Sequence, residues 1–179
     1  MNQIHKVSDQ TPADSAAVEH LLDLAFGPSR RTKMSYRLRE GSAAISGLSL
    51  LVQEEGFGLV GAVSFWPLLI GPTLAPALLL GPLAVHPARQ RLGIGLALMQ
   101  EGIARATAKG HGLVILIGDA PYYARVGFQQ APERQMDMPG VFDPKRLLYL
   151  ELQPGALAFA QGLALPPWRW REIVDAKRA

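Results

Sequence analysis

The sequence predicts an α/β domain: a mixed, partly splayed β-sheet flanked by helices and built around a central strand–helix–strand unit. Three observations carry that prediction. A nearly unbroken apolar run, Ala77 to Val85, turns at His86-Pro87. The glycine-punctuated stretch Gln90-Arg91-Leu92-Gly93-Ile94-Gly95 then opens a helix-like segment, Leu96 to Lys109. A second apolar run, Leu113 to Ile117, has the solid pattern of a strand buried on both faces of a parallel pair. Strand, helix and strand across 77–117 make one right-handed crossover.

The remaining elements follow in order. Thr11-Pro12-Ala13-Asp14 predicts a helix start, with threonine as N-cap and proline at the first helical position. Val18, Leu21, Leu22 and Ala25 then share one helical face, and Gly27-Pro28 ends it. A second short helix is predicted over Arg31 to Arg39. Leu48–Gln53 and Leu59–Leu69 predict an antiparallel hairpin about the turn 54–58, with Pro67 where the second strand leaves the ladder. Gly81-Pro82 predicts a bulge or local splaying of the 77–85 strand, since proline donates no ladder bond. The helix after the glycines is expected to bury Leu92, Leu96, Met99, Ile103 and Ala106, and to pair Glu101 with Arg105 on its outer face. Leu147–Leu152 reads as a late strand paired within Arg134–Met138. The expected organisation is one domain over 1–153, with an extension over 154–179 that packs on it or at a subunit interface.

Composition bounds the chemistry. Of 179 residues 49% are hydrophobic, which suits a globular core. No apolar run reaches the roughly 18 residues of a membrane span. The first ten residues lack a signal-peptide core, so the expected location is the cytoplasm. There is no cysteine, which excludes disulfides, thiolate–metal sites and a cysteine nucleophile. The histidines at 5, 20, 86 and 111 are too scattered to predict a metal site. A net charge of +3 favours an anionic ligand only mildly and does not argue for nucleic acid.

A strand that ends in a glycine-punctuated turn and opens a helix predicts a phosphate seat. The first helical turn has unpaired N–H groups and a partial positive charge, and glycines let an oxygen reach them. Tyr123-Ala124-Arg125-Val126-Gly127-Phe128 adds a phenol beside that seat. With these residues placed, the chain resembles the GCN5-related N-acetyltransferase (GNAT) superfamily. Gln90 to Gly95 matches its Q/R-x-x-G-x-G/A loop, Leu83 to Pro87 the strand ending before it, and Tyr123 to Phe128 the tyrosine-to-Gly-Phe signature. The Tyr122-Tyr123 pair resembles a bacterial subgroup of predicted N-acetyltransferases. Many members carry an asparagine and an alanine ahead of the tyrosine. This chain has Gly118-Asp119-Ala120-Pro121-Tyr122, so the asparagine's cofactor contact is not carried onto Asp119.

The resemblance implies acetyl-CoA as co-substrate and transfer of its acetyl group to a primary amine, by direct attack in a ternary complex. It implies cofactor contacts from Gln90, Arg91, Leu92, Gly93, Ile94, Gly95 and Leu96 to the diphosphate. Leu83, Ala84 and Val85 are expected to hold the pantetheine arm. Tyr123 is the expected catalytic residue, a hydrogen-bond donor to the leaving sulfur, and Tyr122 is expected to pack facing away. Asp119, His86, Glu54 and Glu55 are candidate bases, each with a structural alternative: helix cap, turn, or solvated hairpin tip. Arg30, Arg31, Lys33, Arg37 and Arg39 place five cations in ten residues. They read either as a solvated basic face or as the wall of a site for an anionic acceptor. Trp168-Arg169-Trp170-Arg171 either folds back or meets a second subunit, which leaves a homodimer open. A small-molecule amine is the expected acceptor, with no membrane or nucleic-acid partner. An acyl-CoA sensor without turnover, or an enzyme for a protein N-terminus or a charged tRNA, remain the alternatives.

Overall fold

The computed structural model describes residues 5–32 and 34–176, and its framework starts from a capped turn. The Asp14 carboxylate accepts from the Thr11 amide at 2.8 Å and from its hydroxyl at 2.7 Å. The short turn Pro12–Asp14 thereby leads into helix α1, Ser15–Phe26. Its Val18, Leu21 and Leu22 are buried against Leu51, Ala62 and Ala84 of the sheet. Gly27, at φ +75°, stops it. The predicted helix 31–39 is instead a 3-10 turn, Pro28–Thr32, and a short α2, Met34–Arg37. Arg30 turns inward to carboxylates on α1, and that anchor keeps 28–32 in tight turns.

The sheet strands are β1 Val7–Asp9, β2 Ser49–Glu54, β3 Gly58–Ile70, β4 Ala75–Val85, β5 Leu113–Ile117, β6 Gln129–Gln130, β7 Met136–Asp137, β8 Leu147–Glu151 and β9 Gly162–Leu165. The main path runs β1-β2-β3-β4-β5-β8-β6, and every neighbouring pair is antiparallel except β4–β5. Helix α3, Ile94–Ala108, is the crossover between those two parallel strands. No helix among the described residues is long and apolar enough to cross a membrane.

The splay predicted at Gly81-Pro82 is present on both edges of β4. Toward β3 the register passes from Val63↔Leu83 to Phe65↔Leu80, so Gly81 and Pro82 face a single residue. Toward β5 only Leu78↔Val114 and Leu79↔Ile115 pair, and β4 runs on to Val85 without that neighbour. The result is a wedge between β4 and β5 that opens at the start of α3. Helix α3 is held by Ile94, Leu98, Met99 and Ala106, all nearly inaccessible to solvent. Ile94, Leu98 and Met99 each contribute about 1.5–3 kcal/mol of burial. Contact is close at Gly102, where a Cβ would come within 2.5 Å of the Phe65 ring.

Three expectations are corrected. Leu92 is 46% exposed, because the helix begins after it at Ile94. Pro67 does not end its strand: β3 continues to Ile70. Pro67 lies beyond Ser64, where pairing with β2 stops, and before Leu69, where pairing with β9 begins. β8 pairs with β5 and β6, whereas Met136–Asp137 pairs in parallel with β9. Beyond these, the segment after 154 supplies β9 on β3 and helix α5, Pro167–Ala176. Trp168 Nε1 donates to Glu40 O at 2.9 Å and Trp170 Nε1 to Leu69 O at 2.8 Å.

Candidate active site

The wedge between β4 and β5 and the first turn of α3 share one mouth. Arg91 (φ +67°) and Gly93 (φ +86°) bend the chain into the helix, and Gly93 is its N-cap. Gln90, Arg91, Leu92 and Gly93 are exposed, Ile94 and Gly95 are buried, and Leu96 is half-buried. His5 Nε2 lies 2.7 Å from Leu92 O and donates to it, tying the N-terminal segment to the loop. That same nitrogen is the nearest group to the space beside Gly93, at 3.9 Å from where a Cβ would stand. The first-turn N–H groups of α3 have no intrahelical partner, and they carry the positive end of the helix dipole. Leu83 and Val85 are half-buried and Ala84 is buried, on the stretch of β4 that has left β5.

Helix α4, Ala120–Tyr123, brings both tyrosines to this mouth. Tyr122 does not face away: its hydroxyl occupies the place a Cβ on Gly95 would take. The Tyr123 ring fills the corresponding place over Gly118 and packs edge-on against Tyr122 and Phe128, with centroids 5.2 and 5.9 Å away. Burial, reinforced by Tyr122 and the Asp119 carboxylate, pushes the Tyr123 phenol up to about 12. Its hydroxyl makes no hydrogen bond to a described residue. Giving its proton to a thiolate of ordinary pKa, about 8.5, is uphill by about 5 kcal/mol. This phenol is therefore built to donate a hydrogen bond and keep its proton.

The candidate bases are engaged elsewhere. Asp119 stands at the N-cap position of α4 but makes no side-chain cap; its exposed carboxylate lies 3.3 Å from Arg146. His86 Nδ1 accepts from the Ala88 amide at 3.2 Å, and its ring packs edge-on against Phe57, so it holds the turn. Glu54 is not a solvated tip; it accepts from Arg89 Nε at 2.7 Å. Glu55 is exposed.

A cavity of about 680 Å³ extends from Leu83, Tyr122 and Tyr123 to a wall that includes Arg30, Tyr36 and Arg39. Here the solvated-face reading of the basic segment fails at two positions. Arg30 is fully buried, and its Nε donates to Asp23 at 2.7 Å and its Nη2 to Glu19 at 2.5 Å. Arg39 is 9% exposed; its guanidinium lies 3.8 Å from the Tyr36 ring centre and 5.7 Å from that of Trp66. Arg31 and Arg37 are exposed, and Lys33 lies outside the described residues. No motif or spacing pointed to Tyr36, Trp66, Met138 or Phe142 near this site. For Arg30 one signal existed: Glu19 and Asp23 stand four residues apart on a single helical face.

Known proteins share this arrangement. Residues 46–130 match the profile of the acetyltransferase (GNAT) domain. The chain is 34% identical over 119 residues to the uncharacterized N-acetyltransferase YjhQ of Escherichia coli K12, covering 65% of each chain. It thus spans just under two thirds of that relative's length. A solved structure of the GNAT family N-acetyltransferase YhbS from E. coli, in complex with CoA, superimposes with a TM-score of 0.78 at 23% identity, covering 93% of this chain and 92% of that one. A GNAT family acetyltransferase from Brucella melitensis, in complex with acetyl-CoA, gives a TM-score of 0.65 at 29% identity, covering 84% and 90%. In its 46–130 region and its splayed β4–β5 wedge the chain is thus similar to the acetyltransferase (GNAT) domain and to the fold of these CoA-bound and acetyl-CoA-bound structures.

Proposed function

We propose that this protein transfers the acetyl group of acetyl-CoA to a primary amine by direct attack within a ternary complex. The observation that carries this reading is the single cavity that joins the unpaired β4 edge, the two tyrosines and the wall of α2. The backbone of Gln90 to Leu96, with Gly93 and Gly95, seats the diphosphate. The N–H and C=O groups of Leu83 to Val85 that face away from β3 run alongside the pantetheine amides, and a backbone N–H there polarises the thioester carbonyl. The amine nitrogen attacks that carbonyl, the C–N bond forms and the C–S bond breaks. The thiolate leaves against the Tyr123 hydroxyl, and the amine's proton passes to solvent. CoA-bound and acetyl-CoA-bound relatives support the choice of donor. Burial of Arg30 and Arg39 removes two of the five cations that supported a charged tRNA.

Thiol release from acetyl-CoA against a panel of amines, amino acids, aminoglycosides and peptides tests this reading. At least one class is expected to turn over, with kcat/KM rising about tenfold per pH unit below the amine's pKa. No falling limb from Tyr123 is expected below about pH 11, because a phenol raised to about 12 stays protonated there. CoA binding without thiol release from any acceptor contradicts the transferase and leaves an acyl-CoA-binding module.

A further inference from the structure

The wall opposite the thioester end of the cavity carries more hydrogen-bond donors and more positive charge than its own residues satisfy. Arg30 Nη1 is buried with no hydrogen-bond partner, and so is the Tyr36 hydroxyl. A buried donor left unpaired keeps the full cost of its lost hydration, and the cost is larger when it is charged. Arg39 spends its Nε on Ser35 O at 2.9 Å and has no carboxylate partner among the described residues. All three side chains line the same cavity as Leu83 and Tyr123.

The charges can be counted. Glu19 and Asp23 lie on Arg30, and Glu19 also reaches Arg31, so those two acids balance two guanidiniums. Asp119 lies on Arg146; Asp143, an exposed acid at the cavity rim, accepts only from the neutral Lys145 amide and does not reach the buried wall. Among the buried charges of that wall Arg39 is left without a carboxylate. Burial, together with the like charge of Arg30, pulls it down to about 10, which still leaves it fully charged at neutral pH. Tyr36 and Trp66 cover its faces, a contact that offsets only part of the cost of an unpaired buried cation. One buried positive charge without a carboxylate, beside three unused donor groups, calls for one singly charged, oxygen-rich anion. A carboxylate has that charge and accepts from all three. A phosphate dianion exceeds the charge by one.

We propose that the acceptor is an amine that also bears a carboxylate, a small amino acid, whose carboxylate is seated by Arg39, Arg30 Nη1 and the Tyr36 hydroxyl while its amine faces the thioester. This rests on the acetyl-transfer reading for the reaction but not for the seat, and the two are tested separately. Free α-amino acids and β-alanine, each with its own carboxamide, together with phosphoethanolamine, are assayed for thiol release from acetyl-CoA. The same compounds are followed by their effect on the melting temperature of the CoA-saturated protein. For at least one pair the carboxylate is expected to turn over roughly 10- to 100-fold better than its carboxamide and to raise the melting temperature where the carboxamide does not. Arg39→Gln should bring that ratio down to near one. Tyr36→Phe, which keeps the ring beneath Arg39 and removes only the hydroxyl, should lower it about threefold; it serves as the test if Arg39→Gln does not fold.

Equal turnover of carboxylates and carboxamides, or preference for phosphoethanolamine, overturns the carboxylate seat and leaves acetyl transfer standing. A carboxylate-specific, Arg39-dependent rise in melting temperature without thiol release keeps the seat and overturns the transferase. A ratio unmoved in both variants, or no carboxylate-specific effect in either assay, overturns the seat.

Discussion

Replacing Gly95 with aspartate is expected to weaken CoA binding by roughly 100-fold or more while the protein stays folded. Gly95 is buried in the first turn of α3, and the Tyr122 hydroxyl already occupies the place where a Cβ would stand. Any side chain must displace that ring, and an acidic one also sets a negative charge against the diphosphate, where like charges cost several kcal/mol. The fold survives because Tyr122 is 36% exposed and free to swing outward. Overpacking of this sort costs about 1–3 kcal/mol. Gly95→Ala separates the two causes, since it displaces the ring without adding charge and should weaken binding less. Titration calorimetry with CoA, beside a thermal melt of each variant, reads both effects. Unaltered affinity in Gly95→Asp would place the diphosphate somewhere else.

Tyr123→Phe should lower kcat by roughly 100-fold with little change in acetyl-CoA affinity, the usual result of removing one donor aimed at developing negative charge. The prediction is sharp because the hydroxyl makes no hydrogen bond to a described residue, so its loss has no structural cost to confuse with catalysis. The ring, which packs over Gly118 and against Phe128, is retained. Steady-state turnover compared with CoA affinity measured separately decides it. Unchanged kcat removes Tyr123 from the chemistry and turns attention to Tyr122, whose hydroxyl reaches the helix mouth at Gly95.

What the sequence made legible was local. The β4–α3–β5 crossover could be read because an apolar run, a glycine turn and a helical period each specify their own segment. The splay at Gly81-Pro82 followed from a missing N–H, a property of one residue. What stayed hidden depended on partners far along the chain. Whether Arg30 and Arg39 face solvent is decided by Glu19, Asp23, Tyr36 and Trp66, which periodicity over 30–39 cannot see. Leu92 fits the apolar stripe of α3 by spacing, yet Gly93 starts the helix one residue too late to bury it. Met136–Asp137 and Gln129–Gln130 are two-residue strands whose partners are set by the tail and by β8, and segments so short carry no period. The tyrosine pair shows the same division. The motif singled out the tyrosines, but only the packing of Tyr122 over Gly95 and of Tyr123 over Gly118 shows that both rings stand at the mouth of the wedge.

Backbone amide NMR during a titration with CoA tests the central claim most directly, because the claim concerns N–H groups. The account predicts that the amides of Gly93, Ile94, Gly95 and Leu96 move downfield and show the largest shifts in the protein, saturating together with those of Leu83 to Val85 on β4. Saturable binding that leaves those amides in place and shifts others instead would contradict it.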